Sequence, residues 1–304
     1  MKASIRIVLL QAILLLVSQR SVALPLPRAG FYLPDSVREV MFTYKSIHNL
    51  VILPVTINDT ITVNLILDTG CRNLVLFGKR FQKLFNYTHG RKILFSGLGT
   101  GKPVEGNLAL DNKVYINAAI GEHIPVVVVP NQNLFNMYSN VHGVIGYDLF
   151  TKFEVELNPN KRSIKLRPAA TADLAGDYTR VPIRIEDARP LIDCKVVFSE
   201  EYSQLCNLMI DTGSALGLLL KTTELEQYPF NNSRELLGRG FNGNISGIRT
   251  FTQSLQLNGL EITALDTGII HSKWHNYASL GMDVLRRYSI VLNYCKGYAG
   301  FKTA

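Results

Sequence analysis

Long apolar runs, blocks of like charge and metal-type cysteine spacings are all scarce in this sequence. The apolar stretch Ile7 to Val17 covers 11 residues, well short of the about 20 that a helix needs to cross a bilayer. Basic residues exceed acidic ones, 32 against 24, for a formal net charge of +8. No run of five or six like charges occurs, so a solvated basic surface is expected and nucleic-acid binding is not. Four cysteines are present, Cys71, Cys194, Cys206 and Cys295. None lies in a CxxC or a Cys/His cluster, which removes the usual zinc patterns, and no metal or other cofactor is expected. Only 18% of residues are charged while 47% are apolar, which excludes bulk disorder and allows a sizeable core. A chain of 304 residues suits one large or two medium domains.

The N-terminus carries a targeting pattern. Lys2 and Arg6 precede the apolar stretch, and Ser21-Val22-Ala23 supplies a small-x-small cleavage site. Residues 1–23 are therefore expected to be a cleaved signal peptide, and the mature protein to be secreted or periplasmic with no stable membrane insertion. The Pro- and Gly-rich residues that follow predict a lead-in over 24–44. Export permits disulfides. Cys194 and Cys206 flank Phe198 to Ser203, a turn-forming composition that would set the two cysteines face to face across a hairpin. That pairing is favoured, with four buried thiols as the open alternative.

The strongest internal signal is a repeated stretch. Leu65-Ile66-Leu67 runs into Asp68-Thr69-Gly70, and Leu208-Met209-Ile210 runs into Asp211-Thr212-Gly213. Each apolar run predicts a buried strand, and each glycine allows a sharp turn just beyond. Each copy thus sets a carboxylate at the end of a core strand, where an unpaired charge is costly. The neighbours repeat as well. A β-branched hairpin precedes each acid: residues 49–58 and 60–67 are joined at Asn58-Asp59 in the first copy. Leu74 to Phe77 and Leu216 to Leu220 resume as strands. Glycine-rich hairpins follow at Phe95 to Gly106 and Gly238 to Gly247. Val114-Tyr115-Ile116 and Pro125 to Val129 read as strands in the first copy. Val144-Ile145-Gly146 and Ser279-Leu280-Gly281 come next, each ahead of a further strand, which in the first copy is the polar-alternating Phe153-Glu154-Val155-Glu156-Leu157, expected to turn its polar residues to solvent. Four features in one order indicate an internal duplication. The predicted organisation is an N-terminal lobe at 45–168, a polar, Ala-rich linker at 169–178 and a C-terminal lobe at 179–304, in an all-β, bilobal architecture.

Two carboxylates brought close together cannot both ionise easily, so they titrate as a unit and share a proton. The charged member can take a proton from water while the neutral member hydrogen-bonds a carbonyl oxygen. The hydroxyls of Thr69 and Thr212 are expected to fix their loops, and the Gly70 and Gly213 amides to donate to the carboxylates. On these motifs the chain resembles the retropepsin-like and pepsin-like aspartic proteases, over roughly residues 45–302. The resemblance implies a two-lobed β fold with the acids meeting between the lobes and a hairpin flap over an extended peptide. It implies catalysis by Asp68 and Asp211, loop support from Thr69, Gly70, Thr212, Gly213 and Ser214, and flap or substrate contacts from Gly99, Thr100, Gly101, Gly240, Phe241 and Asn242. The expected partner is a peptide or protein substrate. Because both halves lie in one chain, a monomer with pseudo-two-fold symmetry suffices. The rival reading keeps the fold as a non-catalytic peptide-binding or inhibitory module.

Several details depart from that pattern or distract from it. Cys71 stands where Ser, Thr or Ala is usual, and a thiol is a weak donor, so Asp68 is expected to lose an outer hydrogen bond and the two acids to be inequivalent. No flap tyrosine is evident between Gly97 and Gly106, and no long pro-segment precedes the first strand. A third Asp-Thr-Gly, Asp266-Thr267-Gly268, falls near Pro125 in the repeat and is taken as coincidence. His271 and His275 have the spacing of a helical metal pair but lack an acidic partner. With every carboxylate neutralised, 32 Lys and Arg plus 6 His would carry the chain to +38, a self-repulsion that favours a mildly acidic to neutral working range.

Overall fold

The computed structural model describes residues 28–87, 91–130, 140–225, 228, 233–272 and 277–304. The expected signal peptide lies outside the described residues, as do Trp274 and His275. Strands dominate, arranged in two large sheet bodies joined by a third sheet. No helix among the described residues is long and apolar enough to cross a membrane.

In the first half the strands are β1 (Gly30–Tyr32), β2 (Val40–Thr43), β3 (Lys45–Ile47), β4 (Leu50–Ile57), β5 (Ile61–Leu67), β6 (Leu74–Phe77), β7 (Lys92–Phe95), β8 (Val104–Ile116), β9 (Ala119–Val129), β10 (Gly143–Ile145), β11 (Phe153–Asn158) and β12 (Ser163–Pro168). A short helix, α1 (Tyr147–Phe150), separates β10 from β11. The second half holds β13 (Thr179–Pro182), β14 (Arg184–Glu186), β15 (Arg189–Val197), β16 (Ser203–Ile210), β17 (Leu218–Thr222), β18 (Glu235–Gly240), β19 (Gly243–Leu257), β20 (Leu260–His271), β21 (Tyr277–Leu280), β22 (Tyr288–Asn293) and β23 (Tyr298–Thr303), with α2 (Met282–Leu285) before β22.

The duplication holds in the strands that surround each acid. β10 lies parallel to β5 and antiparallel to β6, and β21 lies parallel to β16 and antiparallel to β17. The parallel pairs β6–β9 and β17–β20 correspond in the same way. The β4–β5 hairpin turns at Asn58 and Asp59, both with positive φ (49° and 63°), the backbone a tight, strand-compatible turn demands and residues that tolerate it. The strands expected at 114–116 and 125–129 are the ends of the longer β8 and β9, which pair with each other.

Two expectations need correction. The lead-in over 24–44 is not merely a lead-in, because β1 pairs with β9 and β2 pairs with β12. Their partners lie far along the chain, and local composition carries no trace of them. Strand β11 was expected to present alternate polar residues to solvent, yet Glu154 is buried. It sits in the six-stranded sheet β13-β23-β22-β11-β12-β2, to which both halves contribute three strands. Arg167 pairs with the Glu154 carboxylate, and Asn293 and Tyr298 from the other half donate to it. Residues 169–178 hold no strand and lie against this sheet: Asn293 Nδ2 donates to the Ala169 carbonyl at 3.0 Å, and Lys296 pairs with Asp173 at 2.8 Å. A buried carboxylate is tolerable only with such partners.

Candidate active site

Each acid is delivered by a strand that ends where its sheet opens. β5 stops at Leu67 and β16 at Ile210, both fully buried. The Asp68 amide donates to the Ile145 carbonyl at 2.8 Å, and the Asp211 amide to the Leu280 carbonyl at 2.9 Å. Glycine is required behind each loop. A Cβ on Gly146 would stand 2.6 Å from the Cys71 carbonyl oxygen, and one on Gly281 would stand 2.9 Å from that of Ser214. The apolar-Gly segments singled out in the sequence therefore act as close-fitting backs to the two acidic loops.

The loops are fastened to each other rather than each to itself. The Thr69 amide donates to the Thr212 hydroxyl and the Thr212 amide to the Thr69 hydroxyl, each at 3.0 Å. The Thr69 hydroxyl donates to the Ile210 carbonyl at 2.6 Å, and that of Thr212 to the Leu67 carbonyl at 2.7 Å. Four fully buried hydrogen bonds thus cross the lobe boundary about a pseudo-two-fold axis. The expectation that each hydroxyl would fix its own loop is corrected: each fixes the opposite one. The glycine amides behave as anticipated, Gly70 donating to Asp68 Oδ1 at 2.7 Å and Gly213 to Asp211 Oδ1 at 3.1 Å.

The two carboxylates interact. A Cβ on Gly213, two residues beyond Asp211, would come within 2.6 Å of both Asp68 oxygens. Burial, then the neighbouring Asp211 charge, pushes the Asp68 carboxyl up to about 7. Burial raises Asp211 as well, but Lys221, the Gly213 amide and Arg189 oppose the rise. The two acids thus titrate as one unequal pair, with Lys221 opposing the rise at Asp211 and not at Asp68. The inequivalence expected from Cys71 is present, with a different origin. The Cys71 thiol donates to the Asn73 carbonyl at 3.0 Å, away from Asp68, and burial pushes its pKa well above the ordinary thiol value, leaving it inert. The Ser214 hydroxyl accepts from the Leu216 amide at 3.3 Å. The asymmetry comes instead from Lys221, which opposes the rise at Asp211 alone, whereas Arg189 acts on both acids.

Above the acids, two hairpins meet. The β7–β8 loop brings Gly99, Thr100 and Gly101 against Gly240, Phe241 and Asn242 at the β18–β19 turn. The Asn242 side chain accepts from the Gly99 amide at 2.8 Å and donates to the Gly99 and Gly101 carbonyls at 2.8 and 3.1 Å. The Gly101 amide donates to the Asn242 carbonyl at 2.6 Å and the Thr100 amide to the Asn244 carbonyl at 3.1 Å. Phe241 stacks on Phe77 of the opposite lobe with centroids 5.5 Å apart. All six hairpin residues picked from sequence therefore form one clasp. Below it lies a cleft of about 660 Å³ lined by Asp68, Asp211, both hairpins and residues of both lobes.

Asp266 lies apart from this cleft. It occupies the middle of β20, exposed, with Arg249 at 3.6 Å, and its neighbour Thr267 is buried and bonded to Thr252. Cys194 and Cys206 are direct cross-strand partners with Sγ atoms 3.1 Å apart, both present as thiols. Arg189, Lys221 and Tyr277 line the cleft and escaped the sequence reading. One signal for Lys221 was available: Leu218-Leu219-Leu220-Lys221 in the second copy answers Leu74-Val75-Leu76-Phe77 in the first.

No family model matches the chain, and no curated protein matches it in sequence. The site must therefore be read from its own geometry.

Proposed function

We propose that the chain is an exported aspartic endopeptidase that hydrolyses peptide bonds with water as the nucleophile. The observation that carries this reading is the Asp68/Asp211 pair, Asp68 buried and Asp211 half-buried, held by four reciprocal hydrogen bonds at the floor of a two-lobed cleft. A module that only binds peptide gains nothing from burying two interacting carboxylates, which is costly.

In the working state Asp211 is ionised and Asp68 protonated. The substrate carbonyl accepts a hydrogen bond from Asp68. Asp211 takes a proton from water as the water oxygen bonds to the carbonyl carbon, and the Asp68 proton passes to the carbonyl oxygen. The amide nitrogen then receives the proton from Asp211 as the C–N bond breaks, and Asp68 recovers its proton as the acid product forms. The clasp holds an extended peptide against the acids and excludes bulk water, which strengthens each of these interactions.

The singly protonated pair persists up to about pH 7, where Asp68 loses its proton. Activity is accordingly expected to fall above neutrality, in line with the mildly acidic to neutral range anticipated from net charge. A maximum near pH 2 would contradict it. The decisive experiment incubates the mature protein and its Asp68→Asn variant with a mixed peptide pool. Wild type is expected to cleave and the variant to lose at least about 10³-fold in rate. Equal cleavage by both would defeat the assignment, and tight binding with no cleavage by either would favour the binding-module reading.

A further inference from the structure

The two sides of the cleft differ in charge at matching positions. Ile145 and Leu280 are matched because each accepts the amide of its lobe's aspartate. Val144 then matches Ser279. Val144 pairs with Val75 and Ser279 with Leu219, so Phe77 matches Lys221. Ile66 and Met209 each stand two residues before the acid; Ile66 pairs with Ile52 and Met209 with Leu191, so Leu50 matches Arg189. At these two positions the N-terminal lobe is apolar and the C-terminal lobe is cationic.

The two cations share one wall. Lys221 Nζ lies 4.2 Å from the Tyr277 ring centroid, and Arg189 Cζ lies 5.9 Å from the same ring. Both side chains line the cleft, and so does Arg239 from the overlying hairpin. The acids that line the cleft are Asp68 and Asp211, which hold one proton between them. Asp187 pairs with Arg189 but is shared with Arg72. The anion acting on Lys221 is Asp211, and burial lowers the lysine to about 8. A half-buried ammonium in this setting lacks a full counter-charge, and an incoming carboxylate would supply it.

We propose that the C-terminal-lobe wall of the cleft, Lys221 and Arg189 beside Tyr277, selects a substrate with an acidic side chain next to the scissile bond, while the opposite wall around Leu50 takes an apolar one. This rests on the endopeptidase reading for its chemistry, though the wall's preference for an acid can be measured by binding alone.

The test uses matched peptides that differ only by Glu or Gln on either side of an apolar residue at the cleavage point. Wild type is expected to cleave the best Glu peptide about 10- to 100-fold faster in kcat/KM than its Gln partner, the range expected for a charge-assisted contact. In Lys221→Met the Glu/Gln ratio should collapse toward one, and Arg189→Leu should lower it independently. Because the ratio is taken within one protein, any effect of Lys221 on the acids cancels. A wild-type ratio near one, with both peptides cleaved, would overturn the proposal and leave the endopeptidase reading standing. If no peptide is cleaved, the endopeptidase reading falls. Binding of the same pairs to wild type then decides the wall: tighter binding of the Glu peptide sustains it, and equal binding overturns it.

Discussion

The two lobes are the same chain of strands with different electrostatics. Asp68 and Asp211 leave equivalent strands, receive equivalent glycine amides and are backed by equivalent glycines. Yet Asp68 has Leu50 and Phe77 at the positions where Asp211 has Arg189 and Lys221. Symmetry of backbone fixes where the carboxylates sit. Asymmetry of side chains makes the two acids unequal. Lys221 opposes the rise at Asp211 alone, while Arg189 acts on both.

The sharpest way to break the comparison is to neutralise each acid in turn and measure stability against pH. The Asp68 pKa is raised to about 7 in the folded chain from an ordinary 3.8. The stability linked to its proton is complete below about pH 4, where folded and unfolded chains both hold it, and is lost as pH rises to about 7. Asp68→Asn removes this loss, so at pH 8 the variant should be more stable than wild type by up to about 4 kcal/mol. At pH 4 the two should be close. Asp211→Asn should gain less at pH 8, because Lys221 already compensates that charge and does not act on Asp68. Urea unfolding at both pH values measures this, and equal gains from the two variants would show that the cations do not distinguish the acids.

The cross-lobe threonines predict the opposite, an equality. Thr69→Val and Thr212→Val each remove one buried donor and one buried acceptor and strand two backbone groups in the other lobe, an amide and a carbonyl. Each should cost about 2–6 kcal/mol, from about 1–3 kcal/mol per stranded group. The two costs should agree within about 1 kcal/mol if the axis is a true pseudo-two-fold at this level. A large difference in unfolding midpoint between them would place one loop under separate support.

Much of the fold was legible because its signals are local. The apolar runs into Asp68 and Asp211, the Asn58-Asp59 turn and the glycines at 99, 101 and 240 each state their geometry within a few residues. The two glycine-rich hairpins could be matched as repeats, but their meeting is seen only in the structure. What stayed hidden is long-range. Nothing near Gly30–Tyr32 or Val40–Thr43 reveals that those residues add strands to β9 and β12. Alternation marked Glu154 as outward-facing because periodicity cannot see that residues 169–178 and the second half cover that face. Thr69 was assigned to its own loop because a single copy of a motif does not display its partner. Lys221 needed a position-by-position comparison of the copies at a place where they disagree.

A smaller difference between the lobes lies in the hairpins that lead to the acids. Cys194 and Cys206 face each other in the C-terminal lobe, and the matching pair in the N-terminal lobe is Val55 and Val63. Only one hairpin is therefore oxidisable. In an oxidising compartment a Cys194–Cys206 disulfide is expected, which thiol titration and peptide mapping would detect. It should stabilise the chain by about 1–3 kcal/mol, the lower end applying because the strands are already paired. Cys194→Val with Cys206→Val, copying the other lobe, should abolish the effect of reductant on Tm. Persistence of that effect in the double variant would assign it to Cys71 or Cys295.

The hairpin clasp is the least symmetric contact and the weakest. The side chain comes from one lobe only: Asn242 makes three hydrogen bonds to the backbone of Gly99 and Gly101, while the N-terminal hairpin answers with backbone alone. Asn242→Ala should therefore loosen the clasp, and Thr100→Ala should not, because Thr100 contributes its amide. The lost bonds are partly exposed and water replaces them, so the closed state should weaken by about 1 kcal/mol, roughly fivefold in the open fraction. Hydrogen exchange at the Gly99 amide reads this directly. That amide loses its acceptor in Asn242→Ala and should exchange faster by about that factor. The Gly101 amide keeps the Asn242 carbonyl as its acceptor and should quicken less. Equal acceleration at both would mean that the hairpins part as a unit and that Asn242 holds the whole clasp rather than one strand of it.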